Sequence, residues 1–74
     1  MTIGQFRELI GAVSQWSTSV KSAANPDERA REVETLKRAV QELRTAAAGK
    51  KLKVHDLERT TAVLLEADRL IAKS

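Results

Sequence analysis

The sequence predicts an all-α domain: an antiparallel three-helix bundle, or a helical hairpin with a third helix packed on it, completed by dimerisation. Apolar residues recur at alternating spacings of three and four along most of the 74-residue chain, as on one face of an amphipathic helix. Two breaks interrupt this pattern, a helix start at Asn25-Pro26 and a turn at Gly49 to Lys53. One domain, 1–74, is therefore expected, with helices near residues 3–23, 26–48 and 55–72. Short connections between sequential helices favour antiparallel neighbours.

The first helix is expected to follow Thr2, because Thr2 and Gln5 have the spacing of a capping box. Its two glycines and the serine and threonine residues of its second half lower its intrinsic helicity. Packing against the other helices must therefore stabilise it. Leu9 and Trp16 flank its apolar stripe and widen it. The stripe itself consists of Ile3, Phe6, Ile10, Val13, Ser17 and Val20.

The second helix opens with Asn25 as N-cap and Pro26 in the first turn, where the missing N–H costs nothing. Asp27 and Glu28 then lie at the positive end of the helix dipole. Gly49 is a natural residue to end this helix. The apolar stripe is formed by Val33, Leu36, Val40, Leu43 and Ala47.

The third helix is apolar over a wider arc, which indicates either the central helix of the bundle or a surface for another chain. Leu65 lies on a different side from the main stripe, and Val63 and Leu70 lie beside it. The stripe is expected to consist of Leu57, Thr60 or Thr61, Leu64, Ala67 and Ile71. For the whole bundle, the residues expected to be buried are Ile10, Val13, Leu36, Val40, Leu43, Leu57, Leu64 and Ile71.

Composition limits the function classes. Hydrophobic residues make up 42% of the chain and charged residues 31%, which is typical of a folded protein. A chain this short has a thin core and no cysteine to staple it, which favours self-association. The absence of cysteine, of a secretory signal and of a long apolar run predicts a cytoplasmic protein that does not enter a membrane. The net charge of +3 neither demands nor excludes nucleic acid.

No constellation of catalytic residues is visible. His55 is the only histidine and stands beside Asp56, but there is no cysteine nucleophile, and the serines lie outside any glycine elbow. Glu28 and Glu32 are spaced as a metal-binding or catalytic pair can be, yet both have basic neighbours at helical spacing and fit a solvated ion-pair face. We therefore expect no enzyme, no metal site and no cofactor.

A basic segment around the second connection is the candidate phosphate-binding site, for DNA, RNA or anionic lipid. Its residues are Lys50, Lys51, Lys53 and Arg59. The competing interpretation is a solvated turn, because lysines after a helix C-terminus interact favourably with the dipole. No aromatic residue is interleaved with these basic residues to stack on nucleotides, which weakens the interpretation as a single-strand or RNA site.

The function expected from these features is that of a small helical protein-interaction module: a regulator, adaptor or inhibitor that binds a partner protein and forms a homodimer. The expected contact residues are Trp16, Leu65 and Leu70, since large apolar anchors dominate interface energies. The competing interpretation, which small size favours, is that Trp16 is the one bulky core residue of the bundle. The alternatives are a nucleic-acid-binding regulator that uses Lys50 to Arg59 and, with weaker support, a structural subunit of a larger assembly such as a phage particle.

Overall fold

The computed structural model of the chain describes residues 2–73. Three helices, α1 (Ile3–Ser22), α2 (Pro26–Ala48) and α3 (Val54–Ala72), pack against one another, and residues 2–73 contain no strand. The predicted all-α class is confirmed, whereas dimerisation stays a prediction. α1 ends and α3 begins one residue earlier than expected. Within these residues no helix combines the length and apolarity needed to cross a membrane.

Both predicted helix starts carry their caps. The Gln5 N–H donates to Thr2 Oγ1 at 3.2 Å, and the Thr2 N–H donates to Gln5 Oε1 at 2.9 Å, which completes the capping box. At α2, the Glu28 N–H donates to Asn25 Oδ1 at 2.8 Å, directly before the first helical turn. These caps satisfy amide groups that have no partner within the helix, so both starts are determined locally.

The core lies between the three helices and is mainly aliphatic. Its buried apolar residues are Phe6, Ile10, Val13, Val20, Val33, Leu36, Val40, Leu43 and Ala67. Ser17 fills one step of the α1 stripe and is buried as well. Its Oγ donates to the Val13 carbonyl at 2.9 Å, so the buried hydroxyl is satisfied within its own helix.

Ion pairs fix the direction of the helices. Arg7, near the start of α1, pairs with Asp56 near the start of α3, and Lys21, near the end of α1, pairs with Glu66 farther along α3. α1 and α3 therefore run in the same direction, with α2 returning between them. A pair between Arg44 and Asp68 links α2 to α3.

The rotation of α3 about its axis differs from the sequence prediction. The predicted burial of Leu57 is wrong, because 52% of this residue is exposed, while Asp56 and Thr60 are buried. Thr60 and Ala67 belong to the predicted stripe and are buried, so the centre of the buried face is turned by only about 40° from that stripe. Leu64 and Ile71 are half-buried and pack against the core. The other residues expected to be buried are confirmed as buried: Ile10, Val13, Leu36, Val40 and Leu43.

A matched pair of leucine substitutions tests this arrangement. Leu36→Ala should lower the free energy of unfolding by about 2–5 kcal/mol, because it opens a cavity in the core. Leu57→Ala should lower it by only about 0.5 kcal/mol, as is usual for a surface position. Urea unfolding followed by circular dichroism at low protein concentration measures both. Similar large losses for the two variants would contradict the observed rotation of α3.

Candidate functional site

α3 is apolar on two sides, and the side turned away from the core is the candidate site. We call its exposed residues the outer stripe; they are Val54, Leu57, Thr61, Leu65 and Ala72. Val54 is 70% exposed, and Leu57 and Leu65 are each 52% exposed. The first four residues follow one another at spacings of three, four and four, which keeps them on one side of the helix.

The inner face of α3 is built from smaller side chains. Asp56, Thr60 and Ala67 are buried there. The Thr60 hydroxyl donates to the Asp56 carbonyl at 2.7 Å, so it is satisfied within the helix. The fully buried residues of α3 therefore have short side chains. Larger residues on the same side are half-buried and pack against the core: Val63, Leu64, Leu70 and Ile71.

The Arg7–Asp56 pair joins α1 to α3 at this face. Arg7 Nε donates to Asp56 Oδ1 at 3.2 Å and Arg7 Nη2 donates to Asp56 Oδ2 at 3.3 Å, so the pairing is bidentate. The Asp56 side chain is 4% exposed, whereas that of Arg7 is 52% exposed. The Asp56 carboxylate is thus buried, while the Arg7 side chain with which it pairs is in contact with water.

These surroundings lower the pKa of Asp56 below its ordinary value. The main cause is the hydrogen bond from Arg7, and burial opposes it by disfavouring the charged form. The positive charges of Arg7, His55 and Lys53 lower the pKa further. Because both carboxylate oxygens accept from Arg7, Asp56 acts as a structural partner of α1 and is engaged away from His55.

Trp16 is 37% exposed, so its indole is largely covered but still reaches the surface. It borders a surface depression lined otherwise by polar residues of α1, namely Ser14, Gln15, Thr18 and Ser19. On α1, Trp16 lies roughly 140–180° around the helix from Lys21 and Arg7, which face α3. Trp16 is therefore on the edge of α1 that points away from α3.

The three predicted contact residues do not form one surface. Leu65 lies in the outer stripe of α3. Leu70 is half-buried and packs against the core, while Trp16 lies on the far edge of α1. Sequence reasoning missed Leu57 and Val54 as exposed apolar residues. Their spacing from Leu65 carried the signal, since 54, 57, 61 and 65 also form a helical stripe.

The basic segment surrounds the start of α3. Lys51 and Lys53 are exposed, Lys50 is half-buried, and Arg59 is exposed farther along α3. Lys53 is the N-cap residue, and its side chain makes no capping hydrogen bond. Amide groups at a helix start attract anions, so Lys51 and Lys53 stand beside a position where negative charge is favourable.

Two acidic residues near the start of α2 are less exposed to solvent than the sequence predicts. Glu28 and Glu32 are both half-buried. Glu28 Oε2 accepts from the Ala24 N–H at 3.4 Å, while Glu32 Oε2 is covered and has no hydrogen-bond partner among residues 2–73. Within the same residues, no three histidine or acidic side chains are grouped so that they could hold a metal ion.

Replacing Asp56 tests the contribution of its charge. Asp56→Asn should lower the melting temperature at neutral pH, because it removes the charge-assisted pairing with Arg7. A carboxylate with a lowered pKa stabilises the folded state above the unfolded pKa of about 3.9, and this contribution is lost as the pH falls through the folded pKa. The difference between the wild type and Asp56→Asn should therefore narrow below about pH 4.

Thermal unfolding followed by circular dichroism from neutral to acidic pH measures this difference directly. The other carboxylates titrate in both proteins, so their contributions cancel in the comparison. A difference in melting temperature that does not change with pH would show that Asp56 acts through shape and not through charge.

Similarity to known proteins does not identify this chain. Comparison with models of protein families, with curated proteins and with solved structures gave no match. Among residues 2–73, three of the five exposed large apolar side chains, those of Val54, Leu57 and Leu65, lie in the outer stripe of α3.

Proposed function

We propose that this chain is a small, non-enzymatic helical protein-interaction module that binds a partner protein through the outer stripe of α3. Homodimerisation is part of the proposal. The observation that carries it is the exposure of Val54, Leu57 and Leu65 in helical register on one side of α3. A row of large apolar side chains on a small protein marks an interaction surface more often than single exposed leucines do.

The energetics support a contact at this position. Fully burying a leucine contributes about 1.5–3 kcal/mol, and about half of Leu57 and of Leu65 is still exposed. Covering both therefore contributes roughly 1.5–3 kcal/mol per chain before the costs of association. The stripe also lies on a helix anchored to the core, so little conformational freedom is lost on binding.

Trp16 offers a second, separate contact. Because the indole is already largely covered, most of its apolar area stabilises the fold, and its exposed part offers a smaller anchor than a free tryptophan would. Leu70 packs against the core, so we assign the anchoring role on α3 to Leu57 and Leu65.

Phosphate binding is the second candidate, as in a nucleic-acid-binding regulator. One observation favours it: Lys51 and Lys53 are exposed beside the uncapped start of α3. Lys50 is half-buried and makes an internal interaction, so it is a weaker donor for such a site. This function would require the lysines and not the outer stripe.

A charge placed in the outer stripe tests the proposed function. Leu65→Glu should weaken both self-association and retention of a partner protein at least about tenfold, because a buried carboxylate without a partner is costly. Ile3→Glu is the matched control, since Ile3 is an exposed apolar residue of α1, 45% exposed, outside the stripe. Sedimentation equilibrium measures self-association, and capture from source lysate, with and without nuclease treatment, measures retention of a partner protein.

Three outcomes separate the candidates. Weaker self-association and weaker retention of a partner protein in Leu65→Glu, with both unchanged in Ile3→Glu, support the interaction module. Equal behaviour of the two variants would contradict it, as would a monomeric wild type that retains no protein. Loss of retention on nuclease treatment and in Lys51→Glu/Lys53→Glu would establish phosphate recognition in its place.

A further inference from the structure

The outer stripe of α3 carries opposite charges along one of its edges. Glu58 and Arg69 are both exposed. Measured around the helix from Val54, Glu58 lies at about 40° and Arg69 at about 60°, so both flank the stripe on the same edge. They are eleven residues apart, about 16 Å along the axis, and the midpoint between them lies near Val63 and Leu64.

We propose that the occupant of the outer stripe is a second copy of this chain, bound with its α3 antiparallel to the first. This proposal rests on the proposed function of the stripe as a protein-contact surface. The two-fold axis crosses the outer side of α3 at the level of residues 63 and 64, perpendicular to the helix. It brings the same edge of the two helices together. Glu58 of each copy then faces Arg69 of the other, so one geometry forms the charge pair twice.

The apolar residues fit the same register. With the axis near residues 63 and 64, Leu65 of one copy lies beside Leu65 of the other, close to the axis. Val54 at one end of the stripe lies opposite Ala72 of the second copy, so the most exposed large side chain meets a small one. Large residues opposite small ones are the arrangement in which side chains of two helices interdigitate.

A parallel pairing of the two copies fits less well. It brings opposite edges of the stripe together and places Glu58 beside Leu57 and Arg69 beside Asp68. The carboxylate of Asp68 is already paired with Arg44 of its own chain. Charge complementarity therefore selects the antiparallel dimer, as flanking charges do in coiled coils.

One helix from each copy gives an interface at the small end of the range for specific complexes, so a dissociation constant in the micromolar range is expected. Each dimer contains two exposed charge pairs of modest strength. Reversing one charge replaces two attractive pairs by two repulsive ones. Glu58→Arg alone and Arg69→Glu alone should therefore each raise the dissociation constant about tenfold.

Mixing the two variants is the decisive experiment. In an equimolar mixture the arginine introduced at 58 faces the glutamate introduced at 69, and Arg69 faces Glu58. The mixture should therefore dimerise about as tightly as the wild type, and so should Glu58→Arg/Arg69→Glu in one chain. Glu42→Arg, an equal charge change on the exposed side of α2, is the control and should leave the dissociation constant unchanged. Sedimentation equilibrium measures all six samples, including the wild type, and circular dichroism at low concentration verifies folding.

Restored dimerisation in the mixture supports the antiparallel dimer. A wild-type dimer that both single variants leave unchanged, or a mixture that does not recover, would overturn it. A monomeric wild type would also overturn it. In each of these cases the interaction module itself still stands if Leu65→Glu loses a partner protein that Ile3→Glu retains. If one single variant does not fold, the other single variant and the doubly exchanged chain decide: a weakened single variant with a restored doubly exchanged chain supports the antiparallel dimer, and any other result overturns it.

Discussion

The pairing of Arg7 with Asp56 is the interaction on which the arrangement of this protein depends. A carboxylate that is almost fully covered is tolerated only when charge-assisted hydrogen bonds compensate for lost water, and both oxygens of Asp56 accept from Arg7. This requirement holds one side of α3 against α1. Because a helix is rigid about its axis, fixing Asp56 inward also fixes the direction of every other residue in α3. Leu57, the next residue, is turned outward by the same constraint.

That rotation links the fold to the proposed function. With Asp56, Thr60 and Ala67 facing α1 and α2, the bundle core relies on the larger apolar residues of the first two helices. Four large residues of α3 are half-buried against this core: Val63, Leu64, Leu70 and Ile71. Leu57 and Leu65 are exposed, and no other residue of the described range 2–73 buries them. A small protein stabilised by burial alone would place these leucines inside. Under the proposed function, their exposure is a cost to the isolated chain that binding of a second chain would recover.

The sequence predicts α1 and α2 well and α3 less well, for a physical reason. The starts of α1 and α2 are determined by neighbours three residues away, Thr2 with Gln5 and Asn25 with Glu28, and each helix has one apolar side. α3 has two helical stripes, so periodicity alone cannot choose its buried face. The choice depends on Arg7, which lies 49 positions from Asp56 and shares no local pattern with it. The same ambiguity concealed the candidate site, since Leu57 was assigned to the core.

The rotation of α3 can be measured directly, because the chain has no cysteine of its own. Leu57→Cys and Thr60→Cys each introduce one thiol, at an exposed and at a buried position of the same helix. At low protein concentration, where the proposed dimer dissociates, the thiol at 57 should react with a labelling reagent nearly as fast as in the unfolded chain. The thiol at 60 should react many-fold more slowly, because it needs local opening of the bundle. Protection at 57 together with fast labelling at 60 would contradict the rotation that the Arg7–Asp56 pair imposes.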